Sequence, residues 1–266
     1  MPDTEERIRE LLSIVKTLDA DTREAILESL RLKLDDAALR RQVLKIQTLA
    51  KATDAQIRAW LLEHIPREYV DGINIANKKL HERPVSFETF QTSEEFLQHR
   101  TAMNILLKES YLDFGNTMVG VVKGAERILN DAARRQVRGK ITAGELAGSS
   151  VREIAKDVQE TLAQQGFSVL IDRGGRQWTL PNYSEMLSRT HLIKTSNEGV
   201  VNRMTELGAD IVQVSETSPN DDVCRSFNER IFSISGRSEK YPKLTRQPPF
   251  HPNCRGALLP RPDLDE

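Results

Sequence analysis

Cysteine is scarce: Cys224 and Cys254 are the only two in 266 residues. That is too few for the disulfide framework that staples small secreted domains, and a reducing compartment is the expectation. Long apolar runs are missing too. Nothing approaches the ~20 residues of a spanning helix, and the opening MPDTEERIRE has no hydrophobic signal segment, so neither membrane insertion nor signal-peptide secretion is expected. Net charge is also absent, with Lys+Arg 38 against Asp+Glu 39 leaving −1. Without a global positive field, any nucleic-acid contact has to be local. The 38% hydrophobic and 29% charged residues exclude a disordered polyelectrolyte, and the length allows one large domain or two smaller ones.

Glycine and proline are sparse in the first half and frequent in the second. Residues 1–140 hold five Gly and three Pro, residues 141–266 nine and eight. Because these residues punctuate turns, the expectation is α+β: a long helical half over 1–140, then a smaller α+β domain over 141–266 with a short sheet. Ile8, Leu11, Leu12, Val15 and Leu18 fall at helical spacing, and Leu30, Leu34, Val43, Leu44 and Leu49 continue the pattern. Thr53 and Gln56 form a capping box opening a helix that carries Trp60, Leu61 and Ile65, with Pro66 expected to end it. The pattern lapses near Arg83-Pro84, and helices follow over 94–112 and 117–138.

On the last of these, Lys123, Arg134 and Arg138 lie within about 40° of the direction of Arg127, opposite Val122, Ala125, Leu129, Ala132 and Gln136. Four cations on one face can release counterions together, so the stripe is a candidate contact for DNA or an acidic partner. The plainer alternative is a solvated helix face.

Thr142 with Glu145, and Ser150 with Glu153, are further capping boxes, the second opening a helix over 151–165 closed by Gly166. Two β-prone runs, 167–172 and 177–180, flank a Gly-Gly turn. A long helix over 181–207 starts at a proline and stops at Gly208. Residues 210–216 alternate as a strand, 230–234 form a second and 255–259 a third. On the long helix Met186, Ile193, Asn197 and Met204 fall within about 60° of Thr190. A buried Thr or Asn needs a hydrogen-bond partner, so Thr190 and Asn197 are expected to latch onto backbone in the loop after 210–216. The alternative is a half-buried stripe with both reaching water. His191 reads as a helix-surface histidine.

Asp221, Asp222 and Cys224, then His251 and Cys254, bring together ligand types that zinc accepts. Two Cys and one His fall short of an all-Cys/His set. The expectation is therefore packed thiols in a proline-stiffened loop, with no cofactor, and zinc as the alternative. A Cys–His nucleophile is disfavoured by the rigid Pro252 between His251 and Cys254 and by the lack of a Gly-rich oxyanion loop.

The stretch YSEMLSRTHLIKTSNEGVVNRMTELGADIVQVSE over 183–216, followed by DDVC and PPFHPNCRG, resembles the C-terminal domain of tailed-phage minor capsid proteins. The nearest likeness is to the phage minor capsid protein 2 family, related to Mu F-like head morphogenesis proteins. The Arg189-Thr190 pair, Asn197, the Asp222-x-Cys224 segment and His251 to Arg255 match in order over roughly the last 100 residues. The chain departs at Phe227, where relatives often have a second Cys, and at Gly256, where they often end Cys-Arg-Cys. The resemblance implies a non-enzymatic virion protein of low copy number near the portal vertex, acting in head assembly or DNA delivery. Its implied partners are portal and other capsid proteins and, non-specifically, packaged double-stranded DNA, with no membrane partner and with assembly in the host cytoplasm. Arg189, Thr190, Asn197, Asp222, Cys224, His251, Cys254 and Arg255 would form a structural latch. The competing class is an enzyme, a Cys–His hydrolase or a toxin-related ADP-ribosyltransferase-like domain.

Overall fold

The computed structural model describes residues 2–31, 36–142, 170–171, 175–216 and 222–265. Helices α1 (Pro2–Arg31), α2 (Asp36–Lys79), a short α3 (Phe87–Thr92) and α4 (Leu97–Thr142) occupy the first half. Strands β1 (Leu170–Ile171) and β2 (Gln177–Trp178) pair antiparallel around the Gly-Gly segment. Helix α5 (Leu180–Glu206), β3 (Ile211–Ser215), α6 (Asp222–Phe227), β4 (Ile231–Ser233) and β5 (Ala257–Pro260) complete the chain. The three C-terminal strands form one antiparallel sheet in the order β4-β3-β5. The fold is thus α+β, with a long helical first half and a small sheet at the end.

Three helix boundaries differ from the expectation. Thr53 caps nothing; it lies buried inside α2. Pro66 does not end that helix either. A proline removes one backbone donor, but the carbonyl it strands belongs to Leu62, which is exposed and can turn to water, while Ile65 and Tyr69 on either side of Pro66 are fully buried. Burial of the flanking turns outweighs the local break. Likewise the helices over 94–112 and 117–138 are one continuous α4, with Phe114 buried at their junction. Glu145, the partner of Thr142 in its capping box, the box at Ser150, the helix over 151–165, its stop at Gly166 and Asp221 lie outside the described residues.

Helix α5 ends as its sequence dictates. Gly208 adopts φ +77°, Ala209 N–H donates to Met204 O (2.9 Å) and Gly208 N–H to Thr205 O (3.2 Å), the paired bonds of a Schellman cap.

By compactness the chain divides elsewhere than at residue 140. One unit comprises Met1–Ile8, Ala59–Tyr111 and Met186–Glu266, the other Arg9–Arg58 and Leu112–Glu185. The physical reason is that the sheet shares its core with α2: Ala76 packs with Val200, Met204, Val212, Phe232 and Leu258. In the same unit α2 and α5 touch at a glycine pair, where a Cβ on Gly72 would lie 2.1 Å from Ser196 O and one on Gly199 2.4 Å from Tyr69 O. Among the described residues, α2 therefore supplies one wall of the core beneath the sheet. The second unit buries Leu11, Val15 and Ile26 of α1, Ile46 and Ile57 of α2, and Val121 and Leu129 of α4.

Candidate functional site

In the first unit, α5 presents Asn197 to the segment between β4 and the chain end. The carboxamide is buried; its Nδ2 donates to Pro248 O (3.2 Å) and Gly256 O (3.1 Å), and its Oδ1 accepts from Leu258 N–H (2.9 Å). Three backbone groups, two from the loop before β5 and one from β5 itself, thus end on a single side chain. Gly256 is held close, since a Cβ there would lie 2.8 Å from Pro248 Cβ. Thr190 behaves differently. It is half-buried and donates to Met186 O of its own helix (2.8 Å), so it does not reach the loop. His191, expected on the surface, is buried.

Arg189 donates to Asn253 Oδ1 (3.1 Å) and pairs with Glu5 at 2.9 Å, and Arg255 reaches the same Glu5 carboxylate at 3.1 Å. Asn253 adopts φ +64°, a left-handed conformation that asparagine tolerates, and this turn sets Cys254 inward. Glu5 carried no local signal, because its partners lie about 185 and 250 positions away.

Cys224, on α6, and Cys254 are fully buried, with Sγ atoms 3.9 Å apart. His251 Nε2 lies 3.0 Å from Cys224 Sγ, and its Nδ1 lies 2.7 Å from Pro252 O. Glu216, at the end of β3, accepts from Cys254 Sγ (3.2 Å) and from Arg255 N–H (2.8 Å). Burial, aided by the Glu216 carboxylate, pushes the Cys254 thiol above its ordinary pKa, against backbone hydrogen bonds at Phe250 and Gly256. Asp222 stays out of the cluster: its carboxylate is fully exposed and pairs with Arg225 at 3.0 Å. The acidic member is instead Glu216. Strand alternation could have found it, because Glu216 follows Val212 and Val214 on the buried face.

In the second unit Lys123 and Arg127 are exposed on α4, and the side chains of Arg134 and Arg138 lie outside those described. Lys123 borders an open groove with Lys51, Arg58, Asp54 and Glu126, so both charge signs line its edge. No helix among the described residues is long and apolar enough to cross a membrane.

A family model, phage minor capsid protein 2, matches residues 31–256. No curated protein and no solved structure gives a match. The family match spans most of the chain, and the chain belongs to that family. Membership implies a virion location, contact with other virion proteins and a structural role.

Proposed function

This member of the phage minor capsid protein 2 family, we propose, is a structural protein of a tailed-phage head, seated at the portal vertex, whose long helices make the assembly contacts. The observation that carries the reading is on α4: Ile105, Leu112 and Val119 recur every seven residues, and each is more than half exposed, Leu112 at 68%. Large apolar side chains at heptad spacing are what a neighbouring helix groove accepts. The chain's own fold leaves them in water. The basic stripe on the same helix is the candidate contact for packaged DNA.

Turnover is not part of this reading. A Cys–His pair is present, His251 with Cys224, but the sulfurs of Cys224 and Cys254 belong to residues only 0% and 1% exposed, so no substrate carbonyl can reach them.

The test is incorporation into purified heads. The chain is expected to co-purify with heads at a fixed, low ratio to the portal. Replacing Ile105, Leu112 and Val119 together by Ser is expected to leave the melting temperature unchanged while lowering that ratio severalfold. Wild-type chain absent from heads, or a triple variant incorporated normally, overturns the proposal.

A further inference from the structure

The cluster around Cys224 holds donor atoms of the kinds and at the spacings that a tetrahedral metal requires. The ligand atoms of Cys224, His251 and Cys254 all lie within 4.8 Å of one another. Two sulfurs bound to one zinc at about 2.3 Å stand about 3.8 Å apart, and a sulfur and an imidazole nitrogen about 3.5 Å apart. The observed 3.9 Å and 3.0 Å need shifts of only about half an ångström.

Three further features point the same way. The first is the imidazole tautomer: with Nδ1–H donated to Pro252 O, the lone pair falls on Nε2, the atom that faces Cys224. A ligating histidine is ordinarily oriented in this manner, by a carbonyl on its other ring nitrogen. The second is the placement of the Cys254 sulfur, which accepts a backbone N–H from Gly256 at 3.4 Å and is held 3.9 Å from Cys224 Sγ. The third is Glu216, a buried carboxylate 3.2 Å from Cys254 Sγ, beside the three ligand atoms that already group together.

We propose that Cys224, Cys254 and His251 bind one Zn²⁺ as a structural site, with Glu216, beside Cys254, the carboxylate that moves in as the fourth ligand. The two thiols release their protons to solvent on binding, and the ion joins the end of β3, helix α6 and the 248–256 loop. This goes beyond the assembly role and does not depend on it. It also explains why Asp222 stands aside: the carboxylate of the set comes from the strand. The two positions where relatives often carry further cysteines are not needed, since Phe227 stacks on Phe232 and Phe250 and Gly256 contributes its N–H.

The test uses the full chain, purified without added metal. Close to one zinc per chain is expected by elemental analysis. After chelation, added Co²⁺ is expected to give the visible spectrum of tetrahedral cobalt together with sulfur-to-cobalt charge transfer in the near ultraviolet. Cys224→Ser should roughly halve the charge-transfer band. Glu216→Gln should keep both thiolates and that band while weakening Co²⁺ binding by about tenfold or more. Because the buried thiol substitution can impair folding, His251→Ala, at a half-buried ring, is the companion variant: it should keep the far-ultraviolet circular dichroism and lose the metal. Absence of the tetrahedral cobalt spectrum from the wild-type chain, whatever its zinc content as purified, overturns the site. So does a spectrum that His251→Ala leaves unchanged. Glu216→Gln binding as tightly as the parent removes Glu216 from the ligand set.

Discussion

Around the three-stranded sheet, residues far apart in sequence meet through polar groups. Asn197 closes three hydrogen bonds, Asp210 accepts from Ser233 Oγ and Ser235 N–H, and Tyr69 links Asn202 to His99, which in turn reaches Glu206. Desolvation works against the Asp210 and Glu206 carboxylates, yet their hydrogen bonds together hold both below their usual pKa. Along α1, α2 and α4 in the other unit, the buried surface is mostly Leu, Ile, Val and Ala, and a buried hydroxyl such as Ser29 returns to its own helix at Ala25 O. The difference concerns specificity. A polar latch has one acceptable partner geometry and fails sharply when altered, whereas an apolar stripe tolerates exchange and leaves its outer face free for other chains.

The largest expected effect lies in the first unit, at the contact of α2 with α5. Gly72→Ala or Gly199→Ala drives a methyl into a backbone carbonyl, which cannot give way as a side-chain tip can. A loss of about 3 kcal/mol or more is expected in chemical denaturation. Parent-like stability for either variant would show that the two helices do not approach so closely.

The second expected effect is a pH dependence. Glu68 is buried beside Thr4, Arg7 and Asp71, and burial holds its carboxyl at about 7, against the pull of Arg7. The folded value lies above the ordinary 4.5, so the stability from this site is complete below about pH 4.5 and is lost as pH rises through about 7. The difference corresponds to at most about 3 kcal/mol. Asp19 and Glu198, also raised by burial, slope the same way, so the informative comparison is parent against Glu68→Gln. The variant should have the flatter profile in urea melts between pH 4.5 and pH 7, and parallel profiles would refute the assignment.

Asn197→Leu comes third. It keeps the volume but leaves Pro248 O, Gly256 O and Leu258 N–H without their partner, at a cost on the order of 1 to 3 kcal/mol. An unchanged melting temperature would mean that water replaces the carboxamide.

These sites also show where sequence reading succeeds. Helix α5 and strands β3, β4 and β5 carry their periodicity and stops locally, in the Schellman glycine at 208 and the alternation of 211–215. Asn197 stood out because a polar residue interrupted an apolar stripe. What stayed illegible is non-local: Glu5 meeting Arg189 and Arg255, Gly72 meeting Gly199, and α2 continuing through Pro66 because burial on both sides outweighs one lost hydrogen bond. A capping box at Thr53 is a statement about a helix end, and tertiary packing moved the end elsewhere.

The smallest effect on stability is expected on the outer face of α4, and there the comparison between the units is sharpest. Lys123 and Arg127 are exposed, and the helix continues through Arg134 and Arg138. Replacing all four by Gln removes no buried contact of Lys123 or Arg127, so folding stability should change by no more than about 0.5 kcal/mol. If the stripe meets DNA, the parent should bind duplexes weakly and without sequence preference. Its log affinity should fall with log salt by about 0.9 for each phosphate neutralised, and the fourfold variant should show a slope flatter by roughly three to four. Salt-independent binding, or none by either protein, would return the stripe to a solvated face. A flattened slope at unchanged stability would mark α4 as a helix whose inner face serves the fold while its outer face serves the particle.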